Sequence, residues 1–191
     1  MPTTSAQKYH AGDTVHLEDF TTIDGVTVTA PPAGGVVHIQ FRRFAGCPVC
    51  NLHLRGFVQR REELAASGIH EVIVFHSTVE ELRQYEADLP LDVVADPKRR
   101  LYARFGIEAS SRAYSIHFLP MLPVVAGNLI LQLFKRTRRA PPMTPEGGMF
   151  GLPADILVGP DSRVIAIKYG EHAYDQWSVD EVKAITVGAA V

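Results

Sequence analysis

Apolar and polar residues along this chain fall into short blocks whose period changes from block to block. Val36-Val37-His38-Ile39-Gln40-Phe41 is dense in apolar and β-branched side chains and predicts a buried strand. Residues 71–76 and 91–95 predict two more strands of the same kind. Residues 154–158 and 163–168 form a pair, and Gly159-Pro160-Asp161-Ser162 between them is a hairpin turn, so these two strands are expected to run antiparallel. Weaker alternation at 14–17 and 26–28, with Asp24-Gly25 as the turn, predicts a small early hairpin. Elsewhere the spacing is helical. Leu52, Leu54, Phe57, Val58 and Leu64 define a helix that Ser67-Gly68 closes. Ser77 and Thr78, followed by Glu80 and Glu81, open a helix that reaches about Ala87. Asp96-Pro97 starts another near Lys98 that ends by Phe105-Gly106. Ser178, with Asp180 and Glu181 in the first turn, caps a last helix to about Ile185. Residues 113–151 break the rhythm: an apolar stretch, then Lys135-Arg136-Thr137-Arg138-Arg139, then a loop rich in Pro and Gly.

Strands alternating with helices, then a hairpin and a final helix, specify an α/β fold: a central mixed β-sheet flanked by helices, with a helical insertion before the late β-hairpin. A chain of 191 residues, 46% hydrophobic, can bury one sizeable core. Residues 1–191 are therefore expected to form a single domain, with 1–12 a loose leader and 113–148 the insertion. The right-handed crossover rule puts the first helix at the C-terminal edge of a central strand, where open sheets carry their sites. A net charge of −2 provides no basic field for nucleic acid. The N-terminus lacks the apolar core and basic flank of a signal peptide. Pro120, Pro123, His117 and Asn128 interrupt the most apolar stretch too often for a membrane span. These features point to a soluble, cytoplasmic protein.

Both cysteines of the chain lie where the first strand of the sheet meets its helix, in Phe41-Arg42-Arg43-Phe44-Ala45-Gly46-Cys47-Pro48-Val49-Cys50. At a helix start, free amide N–H groups and the helix dipole favour a thiolate. Cys47 is nearer the end and is expected to be the more acidic and more nucleophilic sulfur. Cys50 lies one turn later on the same side, placed to attack a mixed disulfide or sulfenic acid on Cys47. Pro48 suits the first helical position, and Arg42 and Arg43 add positive potential. Two other readings stand beside this one. Cys47, Cys50 and His53 would need a distant fourth ligand to hold zinc, and the two sulfurs are also suited to be plain core fillers.

The segment from Phe41 to Cys50 after a strand resembles the thioredoxin-like superfamily, and within it the peroxiredoxin-like group related to alkyl hydroperoxide reductase and thiol-specific antioxidant proteins. Leu152-Pro153-Ala154-Asp155-Ile156-Leu157-Val158, followed by Gly159-Pro160-Asp161-Ser162-Arg163-Val164, carries the same likeness, as does Asp96-Pro97 with Leu101 to Ile107. The resemblance spans about 14–187 and excludes the insertion. It implies a thioredoxin-like fold, a redox-active dithiol at Cys47 and Cys50, and a cis Leu152–Pro153 bond facing the pair. It also implies a peroxide or disulfide substrate, a thioredoxin- or glutathione-type thiol reductant, and no metal or organic cofactor. Phe44 stands where such peroxidases carry Thr, and Leu152-Pro153 where they carry Arg. Arg42, Arg43 or Arg112 would then polarise the peroxide. A scaffold domain of the same fold with an inert or regulatory cysteine pair is the alternative from another class.

His76 ends the second main strand on the edge expected for Cys47 and is a candidate proton shuttle. Glu171-His172-Ala173-Tyr174-Asp175-Gln176-Trp177 reads as an aromatic-anchored loop, with the lining of a substrate cleft as the other option. The apolar stretch near 121–134 and its basic tail suit a helix that covers a sheet edge, a membrane contact or a homodimer interface.

Overall fold

The computed structural model describes residues 8–31, 34–110, 122–123, 126–127, 130 and 148–189. Two short strands, β1 (Phe20–Thr21) and β2 (Thr27–Val28), form an antiparallel ribbon. The main sheet has five strands: β3 (Val36–Phe41), β4 (Ile69–Phe75), β5 (Asp92–Ala95), β6 (Ala154–Val158) and β7 (Val164–Tyr169). Their order is β5-β4-β3-β6-β7. β3, β4 and β5 are parallel, while β6 runs antiparallel to both β3 and β7. The sheet is therefore mixed, as the strand–helix rhythm and the late hairpin require.

Helices α1 (Pro48–Gln59) and α2 (Arg61–Ala66) connect β3 to β4, and α3 (Val79–Tyr85) connects β4 to β5. α4 (Arg100–Arg104) follows β5, and α5 (Val179–Ala189) follows β7. The single helix expected over 48–67 is two helices. Arg60 leaves helical geometry at φ −111° and ψ 18°, and its guanidinium binds Glu63 at 2.7 Å and Asp180 at 2.7 Å. α4 starts two residues later than expected, where the Asp96 carboxylate accepts from the backbone N–H groups of Arg100 (2.9 Å) and Leu101 (2.8 Å).

Two early expectations need correction. Residues 14–17 do not pair with 26–28; Thr14 bridges to Arg163 instead, and β1 supplies the partner of β2. Residues 8–12 are not a loose leader. The Tyr9 N–H donates to the Tyr169 hydroxyl at 2.9 Å, the Gly12 N–H to the Val164 carbonyl at 2.8 Å, and the Tyr9 ring lies 5.3 Å from Phe105. Such ties hold a terminal segment in place. Residues 113–121 and 131–147, with Arg112 and the basic tail, lie outside the described residues apart from short pieces of the span between them.

The two faces of β3 differ sharply. Val37, Ile39 and Phe41 point into an apolar cluster with Val72, Val74, Ile156, Tyr102 and Phe105. His38 and Gln40 point to the other face, under α1 and α5, and are also fully buried. There His38 bridges Glu71 (2.8 Å) and Asp155 (3.3 Å), and Arg42 binds Asp155 at 2.8 Å. Gln40 closes the ring by donating to Glu71 and accepting from Arg42. The Trp177 N–H donates to the second Asp155 oxygen at 3.2 Å. Two cations and two acids buried together avoid the cost of an isolated charge.

Candidate active site

α1 begins at the C-terminal edge of β3, so the crossover delivers Cys47 to that edge. Cys47 is the N-cap, Pro48 the first helical residue, and Cys50 lies within the first turn. The Cys50 N–H points at the Cys47 sulfur, 3.5 Å away, and the Cys47 carbonyl accepts from the Asn51 N–H at 3.0 Å. Gly46 just before it has φ +73°, a conformation that costs glycine little. The Arg43 Nη1 lies 3.9 Å from the same sulfur. Both cysteines are free thiols.

Their acidities separate. Burial alone would push the Cys47 thiol up. The thiol of Cys50, the Arg43 guanidinium and the N–H groups of Cys50 and Val49 outweigh it, and Cys47 comes down from about 9 to about 7. Burial pushes Cys50 well above its ordinary value, and the neighbouring Cys47 adds to the rise. The pair is thus polarised, with the anion on Cys47 and the proton on Cys50. Replacing Arg43 with Met should raise the Cys47 midpoint by about one unit, since an opposite charge within reach favours the anion. Thiolate absorbance followed against pH checks this; an unmoved midpoint would remove Arg43 from the account.

Arg42 does not add to this field. Arg42 and Arg43 leave the end of β3 in different directions: Arg42 turns to Asp155 under α1 while Arg43 turns to the sulfur. His53 likewise leaves the cysteines: its ring packs 5.2 Å from Phe57 and 6.2 Å from Tyr174. His76 does sit at the site's edge. Its N–H donates to the Arg43 carbonyl at 3.2 Å, and the Arg99 Nη2 is 3.4 Å from its Nδ1. Burial, and then the charges of Arg99 and Arg43, hold His76 at about 3, so it carries no exchangeable charge near neutral pH.

The Leu152–Pro153 bond is trans, which corrects the cis expectation; the cis bond among the described residues is Ala30–Pro31. Extended backbone is what this segment needs. The Leu152 N–H donates to the Glu108 carbonyl at 3.2 Å and the Pro153 carbonyl accepts from Gly170 at 2.9 Å, on the way into β6. Leu152 joins the apolar cluster around the sulfurs, with Phe44, Val49, Phe75, Leu82 and Ala173. Tyr174 packs against that cluster and Trp177 is buried under α5, so 171–177 is anchored by its aromatic residues.

Both sulfurs are sealed: Cys47 is 0% exposed and Cys50 1%. Two arginines tie residues 149–150 close to them. The Arg43 Nη2 donates to the Met149 carbonyl at 2.6 Å and the Arg99 Nη2 to the Phe150 carbonyl at 2.7 Å. Sequence reasoning missed Arg99 here, and it missed Ser77 and Glu86, which hold the loop before Cys47. Each lies far from the cysteines in sequence, and no pattern ties it to them. The left-handed φ of +51° at Arg99 is a conformational fact that no spacing reveals.

The model of a family described as AhpC/TSA antioxidant enzyme matches residues 56–172, more than half of the chain and just past the cysteine pair. No curated protein matches. Among solved structures, a peroxidoxin, BcpB, from Mycobacterium tuberculosis is similar at a TM-score of 0.62 and 14% identity, over 95% of this chain and 96% of that one. A peroxiredoxin 6 from Arenicola marina has a TM-score of 0.66 and 13% identity, over 94% and 72%. A thiol:disulfide interchange protein, DsbE, assigned in Chlorobium tepidum has a TM-score of 0.58 and 15% identity, over 95% and 98%. At these identities the likeness is one of fold.

Proposed function

The chain belongs to the AhpC/TSA antioxidant enzyme family and is a thiol-dependent oxidoreductase; within that class, we propose that it reduces peroxides through Cys47 and Cys50. The observation that carries this reading is the polarised pair: the Cys47 sulfur faces an N–H group and a guanidinium, with a protonated thiol one turn away. The Cys47 thiolate attacks one peroxide oxygen. The O–O bond breaks, Cys47 becomes a sulfenic acid, and the departing alkoxide or hydroxide takes a proton to leave as alcohol or water. The Cys50 thiol then attacks the Cys47 sulfur, water leaves, and a disulfide forms. Two thiols of an external reductant, thioredoxin- or glutathione-type, return the dithiol and become a disulfide themselves.

Burial favours a peroxide over a protein disulfide. A small hydroperoxide needs only a narrow opening beside 149–150, whereas a protein disulfide must bring its own sulfur and flanking backbone to Cys47. A pair that must be regenerated by thiols suits the cytoplasm. No helix among the described residues is long and apolar enough to cross a membrane.

Stopped-flow oxidation of the reduced protein by hydrogen peroxide, an organic hydroperoxide and a model disulfide tests the proposal. Faster reaction with a peroxide than with the disulfide is expected. Reaction with both peroxides no faster than a free thiol of ordinary acidity supports the inert-pair scaffold instead.

A further inference from the structure

Backbone N–H groups in the loop ahead of Cys47 find acceptors on a different element. The Ala45 N–H donates to the Ser77 hydroxyl at 3.0 Å, and the Gly46 N–H donates to the Glu86 carboxyl at 2.8 Å. Ser77 immediately precedes the N-cap of α3, and Glu86 is its C-cap, with its own N–H on the Leu82 carbonyl at 2.7 Å. α3 therefore holds the loop from both ends, across about 10 Å of helix. The same Glu86 oxygen also accepts from the Asn51 side chain at 3.2 Å. Asn51 is one turn beyond Cys47 on α1, and its N–H is bonded to the Cys47 carbonyl. One carboxyl oxygen thus joins the residue before Cys47 to the residue that completes its first turn.

Glu86 is 1% exposed. Burying a carboxyl group this deeply is costly, and an apolar side chain would fill the space more cheaply. Its contacts with Gly46 and Asn51 go to backbone and side chain that define where the Cys47 sulfur points.

We propose that Glu86 is a positioning residue for the reaction: it locks the loop at Ala45–Gly46 onto the first turn of α1, and so aims the Cys47 sulfur at the Cys50 N–H and Arg43. This rests on the reading of Cys47 as the attacking thiolate. Hydrogen bonds and helix-end charges weaken steeply with misalignment and beyond the first turn. A loosened loop therefore costs the thiolate its partners. The groups facing the sulfur are Cys50, Arg43 and the α1 N–H groups, with His76 and Arg99 beside Arg43 and Glu86 beneath Gly46.

A charge effect alone would have the opposite sign. Removing a nearby acid lowers the midpoint of a thiol, whereas losing its alignment raises it. The test is the pH dependence of iodoacetamide alkylation at Cys47, read by peptide mass spectrometry in the full chain with both cysteines present. Glu86→Ala is expected to move the Cys47 midpoint upward and slow alkylation about tenfold at about pH 6. Glu86→Gln keeps an oxygen at the same reach and is expected to restore the rate to within about threefold. Glu86→Asp keeps the charge but withdraws it by one methylene, and is expected to behave like Ala; it serves if the Ala variant does not fold. An Ala or Asp profile that overlays the wild type, a lowered midpoint, or a Gln variant as slow as Ala overturns the proposal. A wild-type midpoint at the ordinary thiol value overturns the thiolate reading and this inference together, so the two failures are distinguishable.

Discussion

Cys47→Ser should abolish the consumption of peroxide by the reduced protein, and Cys50→Ser should leave a single rapid oxidation that does not turn over with a dithiol reductant. The asymmetry follows from the polarisation of the pair. Cys47 holds the anion because the Cys50 N–H and Arg43 surround it, and a serine hydroxyl there stays protonated and is a poor nucleophile. The expected loss is at least about a thousandfold, because the thiolate is the nucleophile and nothing else near the edge replaces it. Cys50 acts one step later, when its sulfur displaces water from the Cys47 sulfenic acid. Without it the sulfenic acid persists, and mass spectrometry should find Cys47 carrying one added oxygen. Equal loss of the first oxidation in both variants would show that the sulfurs do not divide the work this way. Retention of rapid oxidation in Cys47→Ser would assign the attack to Cys50, against the acidities of the pair.

Breaking the buried ring under α1 should be the largest effect on stability. Asp155→Ala leaves His38 and Arg42 without their shared acid in a place closed to water. Removing one partner of a buried ionic cluster costs about 3–5 kcal/mol. For a chain of this size, that lowers the melting temperature by on the order of 10 °C. A loss below about 1 kcal/mol would mean that water reaches the ring. pH gives an independent check. Burial lowers the His38 value, but Glu71 and Asp155 outweigh it and raise it from 6.5 to about 9. A raised folded value means the stabilisation is complete below about pH 6.5 and is lost as pH rises through about 9. Asp155 has the opposite sign. Burial raises it, yet Arg42 and His38 hold it well below the usual carboxylate range, so its contribution is present above about pH 4 and lost as pH falls further. Chemical denaturation at about pH 6 and about pH 9.5 should therefore find the wild type weaker at the higher pH, and His38→Gln should remove most of that difference.

Much of the architecture was legible in one dimension because local chemistry sets it. The apolar density of 36–41, 71–76 and 154–158 marks strands whatever surrounds them. Thr78 and Asp96 announce helix starts because their side chains satisfy N–H groups a few residues on. Gly159 to Ser162 announces a hairpin because the turn needs those residues. The candidate site was legible as a local arrangement of residues. Strand, then Cys47-Pro48-Val49-Cys50, then helix is a local arrangement, and the acidity order of the two sulfurs follows from their distance to the helix end.

What lay beyond the sequence are pairings between segments remote along the chain. His38 and Gln40 alternate with apolar residues along β3 as a solvent-facing row would, and period two cannot tell water from a facing Glu71 and Asp155. The divergence of Arg42 and Arg43 depends on which face of β3 is covered by α1. The lowered value of His76 comes from burial and then from Arg99, brought beside it from the turn before α4. The order of residues alone determined the fold class and the expected order of acidity of the two sulfurs, since both depend on neighbours within a turn or a strand. Only the tertiary structure decided that the pair is sealed, that Leu152–Pro153 is trans, and that Glu86 grips the loop. Burial and long-range hydrogen bonds belong to the packing of whole elements against each other, and no window of the chain contains both partners.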